Sequence, residues 1–199
     1  MKTRILVIVY FLSMGMVLHA QWNVGAGVGL SLPITGYGKV VKPGMTVFNL
    51  EGNHSLGKGH LAVGMKIQMS RFSEDANPDD AYYDAKLTVA PVMFTLDYVM
   101  LTEGKLQPYL TGGLGLSFFV VSYNSSPTVI DDQSIFNVSF TTMPVAGLKY
   151  KANDHLYPFL ETGFVLIMDG PPVGFPEGYK ITGYQFISAG IKYRLEGGS

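Results

Sequence analysis

Residues 106–121 read LQPYLTGGLGLSFFVV, and this stretch decides how the rest of the chain can fold. One set of alternate positions is apolar almost throughout, whereas the other is mostly small or polar. Because successive side chains of a strand point to opposite faces, the pattern predicts a strand with one continuous apolar face. Globular strands average about 5–6 residues, whereas a tilted strand that crosses a bilayer needs about 9–11. The 16 residues here therefore predict a membrane-spanning barrel strand.

The composition favours one folded domain in an apolar environment. The chain has 199 residues, of which 47% are hydrophobic, 15% are charged and 24 are glycine. Such a chain is too apolar for disorder and too sparsely charged for an ordinary soluble surface. The absence of cysteine excludes disulfides and thiolate metal sites. A net charge of −1, without a run of Lys or Arg, argues against nucleic-acid binding.

Residues 1–20 are predicted to be a signal peptide, which leaves residues 21–199 as a single barrel domain. Two basic residues precede the apolar run Ile5–Leu12, and Ala20 is a small residue suited to cleavage. A membrane-anchor helix is the weaker alternative, because the apolar run is shorter than the roughly 20 residues that a spanning helix needs.

Period-two patterning recurs along the rest of the chain. In the fourth such segment the apolar positions change parity near Pro91, and since proline cannot donate to a strand ladder, we expect a β-bulge there. The predicted strands are Trp22–Leu32, Gly44–His54, His60–Arg71, Asp84–Val99, Leu106–Val121, Ser134–Tyr150, Leu156–Met168 and Tyr179–Leu195.

The connections between these segments alternate between long and short. Outer-membrane barrels have an even number of antiparallel strands, with short periplasmic turns and longer external loops. The order therefore predicts an all-β fold, an eight-stranded antiparallel up-and-down transmembrane β-barrel. Its four long loops would be Pro33–Pro43, Phe72–Tyr83, Ser122–Gln133 and Asp169–Gly178, and its short turns would lie around Gly57, Glu103 and Asn153.

The whole pattern resembles the small eight-stranded outer-membrane barrels of the OmpX and OmpA-transmembrane-domain type. The resemblance implies a monomer in the lipid of the bacterial outer membrane, with both termini periplasmic. Phe186–Leu195 resembles the C-terminal strand by which the barrel-assembly machinery recognises that family. It differs in ending on Leu195 rather than on phenylalanine and in being followed by the residues 196–199.

The more polar face of the predicted strands carries charges of both signs. An eight-stranded barrel is just wide enough to be filled by its own side chains, and unpaired buried charges are costly, so we expect these charges to pair in a filled lumen. A narrow ion-conducting pore is the alternative. The inferred lumen charges are Glu51, Lys66, Lys86, Asp97, Lys149, Glu161, Lys192 and Arg194.

No catalytic or cofactor-binding constellation is evident in the sequence. After residue 20 the only histidines are His54, His60 and His155, all beside the short turns, and metal binding by them is the less favoured interpretation. Small barrels include lipid A deacylases of similar size, but their His-x-Ser spacing is absent here. The glycine runs are not followed by a helix, so they are not phosphate loops.

Two hypotheses for function follow. The first is a non-enzymatic outer-membrane protein whose long loops bind an extracellular partner. The second is a soluble lipocalin-like carrier, in which the apolar face would turn inward around a small apolar ligand.

Aromatic residues are expected to form two interfacial belts, as in other membrane barrels. The belt near the short turns would contain Trp22, Tyr98, Tyr150, Tyr157 and Tyr193, and the belt near the loops would contain Phe118, Phe136 and Tyr184.

Overall fold

The structure is a computed structural model that describes residues 21–34, 43–56, 59–73, 82–125, 133–168 and 183–195. The predicted signal peptide and the centres of the four predicted loops lie outside the described residues. Within the described residues there is no helix that is long and apolar enough to act as a membrane span. The strands are β1 (Trp22–Pro33), β2 (Gly44–Leu56), β3 (Leu61–Ser73), β4 (Tyr82–Val99), β5 (Leu106–Ser125), β6 (Gln133–Tyr150), β7 (Leu156–Ile167) and β8 (Gly183–Leu195).

The eight strands form a closed antiparallel barrel in chain order, which confirms the predicted fold class. Closure is made by β1 and β8, which pair without a register shift from Trp22 opposite Leu195 to Pro33 opposite Tyr184. The connections 57–60, 100–105 and 151–155 lie at one end, which we call the turn end. β1 begins and β8 finishes at this end. The opposite end is called the loop end.

Glycine allows the close approach of backbones where the barrel closes. Gly27 of β1 lies opposite Gly190 of β8. A Cβ added at Gly190 would overlap the carbonyl oxygen of Ala26, and one added at Gly27 would lie 2.8 Å from the carbonyl oxygen of Ala189. Neither strand could carry a larger side chain here without moving its partner, which explains why glycine occupies both positions.

Large apolar side chains cover the outside of the barrel. Val28, Leu30, Phe94, Leu114 and Phe136 are each between 57% and 69% exposed. Exposure on this scale is expected for a surface solvated by hydrocarbon and is rare on a monomer in water. The soluble-carrier alternative required the apolar face to point inward, and it is therefore wrong.

The bulge predicted near Pro91 does not exist. β4 keeps one register with β5 from Lys86 to Val99, and Val89, Pro91 and Met93 all point inward. Pro91 interrupts the hydrogen-bond ladder between β4 and β3. The pairing register of these two strands is the same before and after that interruption. Leu87 and Val89, whose apolar side chains suggested the change of face, lie in or against an apolar part of the interior.

A bulge that the sequence analysis missed lies in β2. The register of β2 against β3 shifts by one residue between Thr46 and Phe48, and the register of β2 against β1 shifts at the same level. Thr46 consequently faces the interior, where it is fully buried, instead of the outer face on which the alternation placed it.

The aromatic belts are only partly as predicted. Trp22, Tyr98, Tyr150 and Tyr193 are 42–49% exposed at the turn end. Three of them contact histidines, with ring centroids 5.3 Å apart for Trp22 and His54, 6.4 Å for Tyr98 and His60, and 5.8 Å for Tyr193 and His155.

Two of the predicted belt residues lie inside the barrel. Tyr157 and Tyr184 are 2% and 0% exposed, so their assignment to the belts was wrong. Both stand on the inward-facing positions of their strands, and position along the strand alone did not reveal this. At the loop end, Phe136 is exposed and stacks on Phe118 at 6.2 Å.

The outward position of Leu114 gives a test of the assigned facing. Leu114 is 57% exposed and lies between Phe94 and Thr142 on the neighbouring strands. Leu114→Arg is expected to lower the free energy of unfolding in a bilayer by about 2–4 kcal/mol, because a cation near the bilayer midplane is poorly solvated. Leu114→Ala is the matched control and should cost much less. Equal losses for the two variants in a bilayer unfolding titration would contradict the facing.

Candidate functional site

The barrel interior has two chemically different halves. The loop-end half is filled mainly by packed apolar side chains, with Met93 and Met143 fully buried. We call this cluster the apolar plug. Its members are Phe72, Val89, Met93, Phe119, Met143, Val145, Val165, Ile167, Tyr184 and Phe186. A buried hydroxyl cluster lies at the same end, where Ser31 Oγ is 2.7 Å from Thr46 Oγ1 and 3.0 Å from Ser70 Oγ.

The turn-end half is charged, and Glu161 of β7 lies at its centre. The Lys66 ammonium donates to Glu161 Oε1. Asn49 Nδ2 and Ser188 Oγ donate to the same oxygen at 2.8 and 2.9 Å, and Tyr109 Oη donates to Oε2 at 2.9 Å. Glu161 is 2% exposed, so these donors replace the water that an ionised carboxylate would otherwise bind.

A second carboxylate joins two lysines into a network. Glu51 Oε1 lies 2.5 Å from Lys192 Nζ, and Glu51 Oε2 lies 3.7 Å from Lys66 Nζ. Lys192 Nζ is also 4.3 Å from the centroid of the Tyr109 ring, within range of a cation–π interaction. Glu51, Lys66, Glu161 and Lys192 are called the ion-pair network below. Its two positive and two negative groups balance one another.

Asp97 is held by neutral donors instead. Asn53 Nδ2 donates to Asp97 Oδ2 and Thr111 Oγ1 donates to Oδ1, both at 2.7 Å. Asp97 is 7% exposed, and both of its oxygens are engaged. Its carboxylate is therefore satisfied without a cation in direct contact.

Lys149 and Arg194 lie nearer the turn end, each with its cationic group close to the ring of the buried Tyr157. The Lys149 Nζ atom is 5.6 Å and the Arg194 Cζ atom 5.0 Å from the centroid of the Tyr157 ring. A cavity of about 30 Å³ adjoins them and is also lined by Asp97 and Lys192.

Lys86 is the one inferred lumen charge that the structure places elsewhere. Lys86 is exposed, and its neighbour Leu87 packs against the apolar plug. The assignment failed because β4 does not change parity at Pro91, so Lys86 stands on the outward face.

The histidines take no part in the interior. His60 Nδ1 lies 2.9 Å from the carbonyl oxygen of Val99, and His155 Nδ1 lies 3.3 Å from that of Arg194. Among the described residues, no group of three or more His, Asp or Glu side chains is placed to hold a metal ion. The described interior side chains pack against one another and line the small turn-end cavity, an arrangement suited to filling the lumen.

Solved structures define the class of the fold. A major outer membrane protein of Thermus thermophilus matches with a TM-score of 0.61 at 14% identity, covering 88% of this chain and 99% of that chain. OprG of Pseudomonas aeruginosa matches with 0.58 at 14% identity, covering 89% and 96%. Ail of Yersinia pestis, in complex with the heparin analogue sucrose octasulfate, matches with 0.57 at 13% identity, covering 89% and 99%.

These likenesses, together with the closed eight-stranded topology, give the protein the fold of the small outer-membrane β-barrels. The predicted resemblance is confirmed at the level of the fold. No protein-family model and no curated protein matches the chain.

Sequence reasoning missed the apolar plug and the neutral partners of the carboxylates. Asn49, Tyr109 and Ser188 contact Glu161, and Asn53 and Thr111 contact Asp97. The alternation of the sequence already placed these five residues on inward positions. They could have been identified as polar residues on the same face as a buried carboxylate, because buried carboxylates need hydrogen-bond donors.

The ion-pair network predicts how stability responds to removal of one charge. Lys66→Met leaves two buried carboxylates with only one cation between them, and we expect the free energy of unfolding to fall by about 3–5 kcal/mol. Adding Glu161→Gln should recover part of the loss, because charge balance returns.

Lys151→Met is the matched control. The Lys151 and Asp154 side chains are 2.6 Å apart in an exposed turn, and this contact holds the pKa of Asp154 below its usual value. Solvent screens the pair, so its loss should change stability little. Urea titrations in lipid vesicles that give Lys66→Met and Lys151→Met similar midpoints would contradict the network.

Proposed function

We propose that the protein is a non-enzymatic component of the bacterial outer membrane, with a closed lumen and with its interactions carried by the long loops. The observation that supports this proposal best is the interior itself. A solute that entered from either end would meet two successive barriers, the apolar plug and the ion-pair network.

The apolar plug is the stronger barrier to ions. Met93, Met143 and Val165 are fully buried within it, and they offer no polar atom to replace the water shell of an ion. The network below it contains both signs of charge in mutual contact, so neither cations nor anions find a continuous path of one sign. A narrow pore is therefore the less favoured function.

The orientation is proposed from the positions of the ends. β1 begins and β8 ends at the turn end, which we assign to the periplasm with the short turns. The long connections then face outward. Their sequences are polar or rich in glycine and proline, as in residues 74–81, which suits exposed binding surfaces. The strand Phe186–Leu195 is proposed as the segment read by the barrel-assembly machinery.

Conductance in planar bilayers tests the closed lumen. We expect no steady unitary conductance from the purified barrel. Phe119→Ala combined with Met143→Ala removes two side chains of the apolar plug and should produce conducting events. The control pair Leu116→Ala and Phe140→Ala changes two residues that pair with each other on the outer face of the same strands. Steady conductance by the unaltered protein would favour the pore.

Surface labelling tests the orientation and the loop proposal. An epitope inserted at Asn77 or at Ser126 should be labelled by antibody on intact cells, whereas one inserted at Glu103 should be labelled only after the outer membrane is permeabilised. Glu103 lies in the exposed 100–105 turn at the turn end. Labelling of the Glu103 insertion on intact cells, with silence at Asn77, would invert the topology and remove the loop proposal.

A further inference from the structure

The interior carries more positive than negative charge at its turn end. The carboxylates Glu51, Glu161 and Asp97 are already engaged by the contacts described above. Within the part of the chain that the structure describes, no carboxylate lies at ion-pair distance from Lys149 or Arg194. These two cations lie outside the balanced network, and when Asp97 is counted the interior carries a net formal charge of +1.

The surroundings of Arg194 increase the cost of leaving it without an anion. Its Nε atom is buried and has no hydrogen-bond partner. A buried donor without an acceptor is unfavourable, and more so when the group is charged. The Tyr157 ring offers its face to both cations but accepts no hydrogen bond from them. The Nε donor of the guanidinium is thus left without an acceptor by the protein.

The cavity beside these groups has the charge and the donors that an anion needs. Lys149, Lys192 and Arg194 line it against a single carboxylate, that of Asp97, and Asn23 and Asn53 lie in the same wall. Its volume of about 30 Å³ is enough for one or two water molecules or for a few oxygen atoms of a larger group. Ser55, near the end of β2, and Gly59, in the connection that follows it, also line the cavity.

We propose that this turn-end cavity binds a phosphate group between Lys149 and Arg194. The planar guanidinium presents paired N–H donors that fit a tetrahedral oxyanion, and the ammonium supplies a second charge-assisted donor. The phosphate belongs either to the free inorganic anion or to a phospholipid headgroup at the adjacent membrane surface, since both present the same oxygens.

Arginine-selective labelling gives a direct test. The whole chain contains three arginines, Arg4, Arg71 and Arg194, so a sample labelled with ¹⁵N-arginine gives at most three Nε–H signals. In a maltoside detergent, which carries no phosphate, titration with inorganic phosphate should shift the Arg194 signal saturably. The signal of Arg71 serves as the internal reference and should stay in place, and Arg4 is absent from a sample that lacks the predicted signal peptide.

Charge variants identify the second ligand. Lys149→Gln should weaken the apparent phosphate affinity by about tenfold or more, because a hydrogen bond to a charged group is lost. Lys151→Gln removes the same charge two residues away in the exposed turn and should leave the affinity unchanged. An unmoved Arg194 signal, a shift common to all arginines, or equal weakening by the two variants would each overturn the site. The first two outcomes are measured on the unaltered protein, so they remain decisive even if Lys149→Gln folds poorly.

The source of the phosphate is distinguished in bilayers. If the ligand is a headgroup, Arg194 should already show the shifted signal in phosphatidylglycerol nanodiscs without inorganic phosphate. If it is the free anion, the signal should move only when inorganic phosphate is added. Either result identifies the source of the phosphate once the detergent titration has shown saturable binding, whereas an unmoved signal in that titration excludes the site.

Discussion

Every backbone donor and acceptor in hydrocarbon needs a partner from the protein, and the pairing of β1 with β8 is the interaction that meets this requirement for the whole sheet. Without it the sheet would have two open edges, each a row of unpaired N–H and C=O groups. The uninterrupted register between these strands, with Gly27 opposite Gly190, lets the backbones approach closely where the first and last parts of the chain meet. The outward apolar face and the filled interior have stable positions only because this seam is closed.

Closure creates an interior that must be filled, and the chain fills it in two ways. The apolar plug is held mainly by packing, with a hydrogen bond from Gln68 Nε2 to the Tyr184 hydroxyl at 3.4 Å, whereas the turn-end half is held by charges that neutralise one another. A buried ion pair is weak evidence of added stability, since desolvation offsets much of its attraction. What the network does provide is a fixed arrangement. Glu161 is contacted from several strands at once, so its donors fix how those strands stand relative to one another across the lumen.

Alternation along the strands was enough to predict the barrel, because one face of each strand must meet lipid. It placed Glu51, Lys66 and Glu161 on inward positions for the same reason. It failed where both faces are apolar, as around Val89 and Met93, since period two then carries no information about direction. The misassigned Lys86 follows from that failure.

Which interior residues contact one another could not be predicted from the sequence. Lys66 and Glu161 are 95 positions apart in the chain, and the register that brings them together depends on the shear of the closed sheet. The bulge in β2 was equally hidden, because no proline or glycine marks the stretch between Thr46 and Phe48.

The apolar plug also affects the chain before it folds. Around Val89–Phe94 and Phe164–Ile167 the inward residues belong to the plug or flank it, and the outward residues face lipid, so these segments are apolar on both sides. Short apolar segments with little charge and high strand propensity are those through which unfolded chains associate in water. The turn-end halves of the same strands carry more polar inward residues, such as Thr95, Asp97 and Glu161, and remain better hydrated. The unfolded polypeptide therefore alternates between segments prone to association and better hydrated segments, and the association-prone segments are those that must be kept apart until the barrel forms.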